Sequence, residues 1–174
     1  DRAFAYCLSL RKATLSPNVP AVPDNCFLGC DALEVVEVPI GVQSVGFQSF
    51  AKCAALQMIA LPGGLTSIGR YAFYDCSGLL MIQIPDSVTE IADSAFIGCP
   101  VELTLAGEAG SYAQTYADRM GYPFTDTRAW YDEIAAIPTE GEYGLLIGEA
   151  EPVETAVLPG VVENYRVLKV FDGT

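Results

Sequence analysis

The sequence predicts an α/β solenoid: a right-handed superhelix of stacked coils with parallel strands, closed at its C-terminal end by a helix. Three observations carry this expectation. Phe4, Phe27, Phe50, Phe73 and Phe96 recur every 23 residues. Cys7, Cys30, Cys53, Cys76 and Cys99 each follow three residues behind. After the last pair the pattern decays, and a glycine and a serine open an amphipathic segment of a different kind. Self-similarity at a fixed period of this size marks an array whose units cannot bury their apolar edges alone and must stack.

The apolar positions between these pairs keep register. One rung runs Phe50, Cys53, Leu56, Ile59, Leu61, Leu65, Ile68, and the next runs Phe73, Cys76, Leu79, Ile82, Ile84, Val88, Ile91. The rung before runs Phe27, Cys30, Leu33, Val36, Val38, Val42, Val45. The first, Phe4, Cys7, Leu10, Ala13, Leu15, Val19, Val22, is weaker but in phase.

Within a rung, Leu56-x-x-Ile59-x-Leu61 ends in two-residue alternation, the mark of a short strand with one buried face. Pro62 stops that strand, as Pro39 and Pro85 do in their rungs, because proline cannot donate to a ladder. A second extended piece, Leu65 to Ile68, closes on Gly69, with Gly46 in the same place one rung earlier. Such a glycine permits a sharp corner. Tyr71 to Cys76 then has the spacing of a helical turn, with Ala72, Phe73 and Cys76 inward. Stacking rungs ~4.8 Å apart buries the apolar edge continuously, with the five phenylalanines stacked in the core.

Past Cys99 the pattern thins to Val101-Glu102-Leu103-Thr104-Leu105. Ser111 is a good helix N-cap, Tyr112, Tyr116 and Met120 form one stripe beside Ala113 and Ala117, and Gly121 and Pro123 end the segment. A helix over about residues 111–120 would cover the last rung, as a terminal unit must. The expected organisation is an array with its capping helix over 1–124, an acidic linker over 125–155, and the start of a second array over 156–174. The linker surrounds Trp130 and Tyr131 and has room for two short strands, Gly144 to Gly148 being one candidate. The abrupt opening at Asp1 and the tail ending at Thr174 read as an excerpt from a longer protein with more than one array.

Composition bounds the chemistry. Apolar residues make up 51% and charged residues 18% of 174, so a well-buried fold is expected. The net charge of −13 argues against nucleic acid and anionic membrane surfaces, which attract Lys and Arg. Residues 1–99 carry 9 acidic and 5 basic side chains and residues 100–174 carry 13 and 4, a shift that supports a boundary near residues 100–125. No apolar run approaches a membrane span. Histidine is absent, and with it the commonest general base and metal ligand. No phosphate-binding loop, dinucleotide fingerprint or nucleophile elbow occurs, so no catalytic residue and no cofactor are expected. Asp132-Glu133 and Glu149, Glu151 and Glu154 lack the spacing of a calcium loop and read as solvated acidic surface.

Six cysteines invite a disulfide reading. Five of them share one core position, however, and Cys26 stands directly before Phe27 in the place an alanine holds elsewhere. Stacked rungs would leave their β-carbons ~4.8 Å apart on parallel vectors, against ~3.8 Å in a disulfide. A reduced, inaccessible ladder packing as small hydrophobes is expected, with no metal. Cys26-x-x-x-Cys30 alone is a weak metal signal.

The run Ile68-Gly69-Arg70-Tyr71-Ala72-Phe73-Tyr74-Asp75-Cys76-Ser77-Gly78-Leu79-Leu80-Met81-Ile82-Gln83-Ile84-Pro85 resembles the BspA-like class of leucine-rich repeats, common in bacterial surface proteins. The likeness covers residues 1–124, and the Phe–Cys pair separates it from repeats built on an asparagine ladder. Cys26, Ser49 and Ala92 depart from the pattern with small side chains that should fit. The resemblance implies a leucine-rich repeat superhelix, an extracellular or cell-surface location, and adhesion to a host or matrix protein or a glycan.

Outward positions of the first strand in each rung would line one face: Lys12 and Thr14, Val35 and Glu37, Met58 and Ala60, Met81 and Gln83, then Thr104 and Ala106. Val35, Met58 and Met81 make an apolar stripe there with no evident core duty. One reading is that such residues simply pair well across strands. The other is a recognition surface, since exposed apolar stripes often mark one. The expected function is a non-catalytic recognition or adhesion module, with a passive structural spacer as the alternative.

Overall fold

Every 23-residue unit supplies a longer strand, a proline-ended bend, a two-residue strand and a turn that leads to the next unit. The computed structural model describes residues 2–128. In chain order the first strands are β1 (Lys12–Thr14), β2 (Ala21–Val22), β3 (Val35–Glu37), β4 (Ser44–Val45) and β5 (Met58–Ala60). They continue as β6 (Ser67–Ile68), β7 (Met81–Gln83), β8 (Glu90–Ile91) and β9 (Thr104–Gly107), followed by helix α1 (Tyr112–Met120) and β10 (Phe124–Asp126). All strand pairs are parallel, and partners within the array lie one unit apart, as in Ile59↔Ile82 and Val45↔Ile68. The chain is therefore the α/β solenoid of stacked coils that its repeats predict.

Odd-numbered strands line one side and the two-residue strands β2, β4, β6 and β8 form a second, continuous ladder. The first side is split: β1 pairs with β3, and β5, β7, β9 and β10 form a separate ladder. Inside, Phe27, Phe50, Phe73 and Phe96 stack near-parallel with ring centroids 5.4, 5.2 and 5.4 Å apart. Phe4 continues the stack 5.4 Å from Phe27 but remains 40% exposed, because it has a ring on one side only. Cys26 and Ser49 fit buried in the alanine place, where the Ser49 hydroxyl donates to the Gly46 carbonyl at 2.7 Å.

Residues 71–76 differ from the expected helical turn. They form overlapping β-turns, with Ala72 N–H donating to Gly69 O and Cys76 N–H to Phe73 O, both at 3.3 Å. Tyr71 and Asp75 are left-handed at φ 57° and 58°, as are Gln48 and Lys52 one rung earlier. The physical reason is the ladder. In a helix the Phe73 N–H would point back along its own chain. Here it donates sideways to Ala95 O at 2.9 Å, and Asp75 N–H donates to Ile97 O at 2.9 Å. Left-handed residues turn alternate N–H groups out of the coil, so this third side is also bonded rung to rung.

The corner glycines serve closeness more than conformational freedom. Gly46 and Gly69 are not among the positive-φ residues. A β-carbon on Gly69 would lie 2.9 Å from Val45 O and 3.1 Å from Gly46 C.

At the C-terminal end α1 covers the last rung. Ser111 caps it by accepting from Gln114 N–H, and Gly121 ends it at φ 79°. Ala113, Tyr116 and Ala117 are buried and Tyr112 packs against the core. Met120 leaves the expected stripe and is 38% exposed. Its place is taken from beyond the helix: Gly121 reverses the chain and brings Tyr122 beneath, stacked 6.3 Å from Tyr116 and donating to Phe96 O at 3.3 Å. β10, at the start of the expected linker, then pairs with β9 and covers the sheet edge. Of the segments expected beyond the array, residues 129–174, including the candidate strand, the acidic groups and the second-array lead-in, lie outside the described residues.

Candidate binding face

Outward residues of the first side fall into rows that the strand register sets within each of its two ladders. One row holds Lys12 and Val35, then Met58, Met81 and Thr104; the other holds Thr14 and Glu37, then Ala60, Gln83 and Ala106. The register joins these positions within each of the two ladders, β1 with β3 and β5 with β7 and β9.

Its first half is charged. Lys12 Nζ lies 2.7 Å from a Glu37 oxygen, and Thr14 donates to the other Glu37 oxygen at 2.8 Å. Arg11 and Glu34 pair at 3.4 Å beside them. These pairs are exposed and add little stability, so they act mainly by setting the local charge pattern. The second half is uncharged. Val35 and Met58 are half-buried, Ala60 is exposed, and Gln83 and Thr104 are half-buried.

Two of the expected outward positions are closed to a partner. Met81 is only 8% exposed and Ala106 is buried. Met81 lies between Met58 and Thr104 in register, and Ala106 between Gln83 and Thr125, so each is flanked on both sides. Alternation along a strand tells which way a side chain points; what flanks it decides its exposure.

The cysteine ladder is internal for Cys30, Cys53 and Cys76, half-buried at Cys99 and exposed at Cys7. All six thiols are free. Inaccessibility therefore holds for the inner rungs and fails at Cys7, which belongs to the rung flanked on one side. Burial pushes the Cys53 thiol up to about 12 and Cys99 to about 11, and raises Cys26, Cys30 and Cys76 in the same direction for the same reason. Thiols held neutral in this way are poor nucleophiles. Among the described residues no group of three or more His, Cys, Asp or Glu is placed to hold a metal. None of their helices is long and apolar enough to cross a membrane.

Sequence reasoning missed two features. A wide-mouthed hollow of about 400 Å³ opens at the start of α1, bordered by Asp86, Thr89, Glu108 and Ser111. An aromatic group, Phe47, Tyr71 and Tyr74, stands on the corner beyond the second ladder.

Comparison with known proteins bears on the fold and its setting. The family model of the BspA type leucine rich repeat region matches residues 1–110 in 6 copies. The crystal structure of the leucine rich repeat protein of T. pallidum is similar at 34% identity and a TM-score of 0.58, over 60% of this chain and 49% of that one. A leucine rich cell surface protein from Faecalibacterium prausnitzii is similar at 34% identity and a TM-score of 0.60, over 66% of this chain and 30% of that one. The chain thus spans about half or less of the length of these relatives. Among curated proteins no match is found.

Proposed function

This chain belongs to the BspA type leucine-rich repeat family, and on that premise we propose that it is a non-catalytic recognition module of a cell-surface or secreted protein, holding a protein partner on its first strand face. Repeats of this kind, with a cell-surface relative of the same architecture, are consistent with protein interaction. One observation carries the narrower reading: Val35, Met58 and Ala60 point outward from the coils, beside the Lys12–Glu37 pair, and none belongs to the buried core. An apolar centre with a charged border is the anatomy of an interaction surface. The setting at a bacterial surface, and a host or matrix protein as partner, follow from the relatives alone and form part of the proposal.

The second reading is a structural spacer. It is favoured by the burial of Met81 and Ala106, which leaves the apolar part of the face small. Solid-phase capture of purified extracellular-matrix proteins separates the two. Capture that Met58→Lys abolishes supports recognition, and no capture of any of them supports the spacer.

A further inference from the structure

We propose that Phe47, Tyr71 and Tyr74 form a platform for a neutral carbohydrate, on the corner after the second ladder and separate from the strand face. Tyr71 sits between the other two, 6.1 Å from Phe47 and 5.7 Å from Tyr74, with interplanar angles of 85° and 87°. Phe47 is 41% exposed and both tyrosines are half-buried. Edge-to-face contacts hold each ring in place while part of it stays open to solvent.

The solenoid does not need these rings. Places equivalent to Phe47 hold Asp24, Arg70 and Asp93 in the other rungs. Those equivalent to Tyr71 hold Asn25, Gln48 and Ser94, and those equivalent to Tyr74 hold Leu28, Ala51 and Ile97. The same coil closes with each of them. Tyr71 also carries its bulky side chain at φ 57°, a backbone conformation that favours glycine and asparagine. A costly residue that packing does not require points to use. The hydroxyls point the same way. Those of Tyr116 and Tyr122 donate to main-chain carbonyls, whereas among the described residues those of Tyr71 and Tyr74 have no hydrogen-bond partner.

Size and charge choose the ligand. Three rings of ~150–250 Å² each, more than half covered, offer on the order of 200 Å², well under the ~800 Å² per partner of a stable protein interface. One or two sugar rings fit that area, their C–H faces on the aromatic faces and their hydroxyls toward the free phenols. Gln48, Arg70 and Asp75 are the chain neighbours of the three ring residues and carry further hydrogen-bonding groups. Asp24, whose carboxylate accepts from Phe47 N–H at 2.7 Å, adds negative charge in a chain of net −13, which disfavours an anionic glycan.

Affinity electrophoresis in native gels containing hydroxyethylcellulose, glucomannan, glycogen or yeast mannan tests this, each read against a polysaccharide-free gel. Wild type should be retarded by at least one. A triple variant built from residues of the other rungs, Phe47→Asp, Tyr71→Asn and Tyr74→Ala, should lose that retardation while staying folded by circular dichroism, since the same coil closes on those residues elsewhere. Met58→Lys should still be retarded, which separates this site from the strand face. Absence of retardation by all four polymers, or retardation that survives the triple variant, would overturn the proposal.

Discussion

The thiol of Cys76 donates to the main-chain carbonyl of Phe50, 3.0 Å away and one coil back. Cys53 makes the same bond to Phe27 O at 3.3 Å, Cys30 to Phe4 O at 2.9 Å and Cys99 to Phe73 O at 3.1 Å. The carbonyls of Phe4, Phe27, Phe50 and Phe73 thus each take a thiol from the following rung; Phe50 O also accepts Cys53 N–H within its own at 3.2 Å. A cysteine here fills the space of a small hydrophobe and supplies a weak donor that ties neighbouring coils together.

Removing that group from the middle of the stack should be felt. Cys76→Ala deletes a wholly buried sulfur and its bond and should cost about 1–2 kcal/mol in denaturant unfolding. The same burial sets thiol reactivity. An aromatic disulfide reagent should modify Cys7 at once and Cys99 slowly, with the other four reacting only on unfolding. Rapid native reaction of more than two thiols would contradict the ladder.

The raised thiols also predict alkaline sensitivity. A thiol with a folded value of about 12, as at Cys53, stays protonated in the fold where the unfolded chain, starting from 9.0, has already ionised. Folded protein then binds more protons than unfolded, so stability falls as pH rises. The contribution is fully present below pH 9.0 and is lost between there and about 12. Cys99 adds a narrower window ending at about 11, and burial raises the Tyr116 hydroxyl in the same direction. Melting temperature should be flat from about pH 7 to about 8.5 and drop above it, less steeply in Cys53→Ala. An equal slope in the variant would remove the thiol from the account.

Identity at a fixed interval made the coil legible from Phe and Cys alone. Other features depend on what identity does not carry. Phe4 and Cys7 match their repeats in sequence but are exposed, because burial in a stack needs a neighbour on both sides. Inward Ala72, Phe73 and Cys76 satisfy a helical turn and a pair of β-turns equally well. The discriminating signal was Gly29 and Gly98 two residues after Phe27 and Phe96, where a left-handed backbone is wanted. Tyr122 was overlooked because a helix stripe ends with its helix, whereas the reversal at Gly121 supplies one more ring to the cap.

Two glycines on one rung should respond differently to alanine. Gly69 approaches the main chain of Val45 and Gly46, atoms that cannot withdraw without breaking the Gly69 N–H to Val45 O bond at 2.8 Å. The equivalent places at the two ends hold Pro23 and Ala92, so the inner rungs are the tight ones. Gly69→Ala should cost about 1–3 kcal/mol. A β-carbon on Gly63 would meet nothing within 4 Å, and its φ is not positive, so Gly63→Ala should be neutral within about 0.5 kcal/mol. Equal melting temperatures for the two variants would show that rung spacing does not constrain the corner.

The cap is tested at Tyr116, which is 1% exposed, lies 6.0 Å from Phe96, and reaches Ala92 O and Asp93 O with its hydroxyl at 3.3 and 3.4 Å. Tyr116→Asp would place a charge against the last rung and should cost roughly 3 kcal/mol or more. Tyr116→Phe keeps the ring and gives up only the hydroxyl bonds, about 1 kcal/mol. Should Tyr116→Asp melt like wild type, α1 would not be holding the end of the array.

Met58 and Met81 face each other across β5 and β7, yet should behave differently when charged. Met58 is half-buried, so a lysine there can run its stem along the sheet and keep its ammonium in water, a change within about 0.5 kcal/mol. Met81 is 8% exposed between two strands, and a lysine must either desolvate or push its neighbours aside, at about 1–3 kcal/mol. Together the two would set like charges in direct cross-strand register and destabilise beyond the sum of the single changes. A binding test on this face therefore belongs to Met58→Lys alone. If the face recognises a protein, that variant loses capture at an unchanged melting temperature, because the charge meets the partner and not the core. If Met58→Lys captures as well as wild type, the outward row is sheet-pairing surface only, and the spacer reading takes its place.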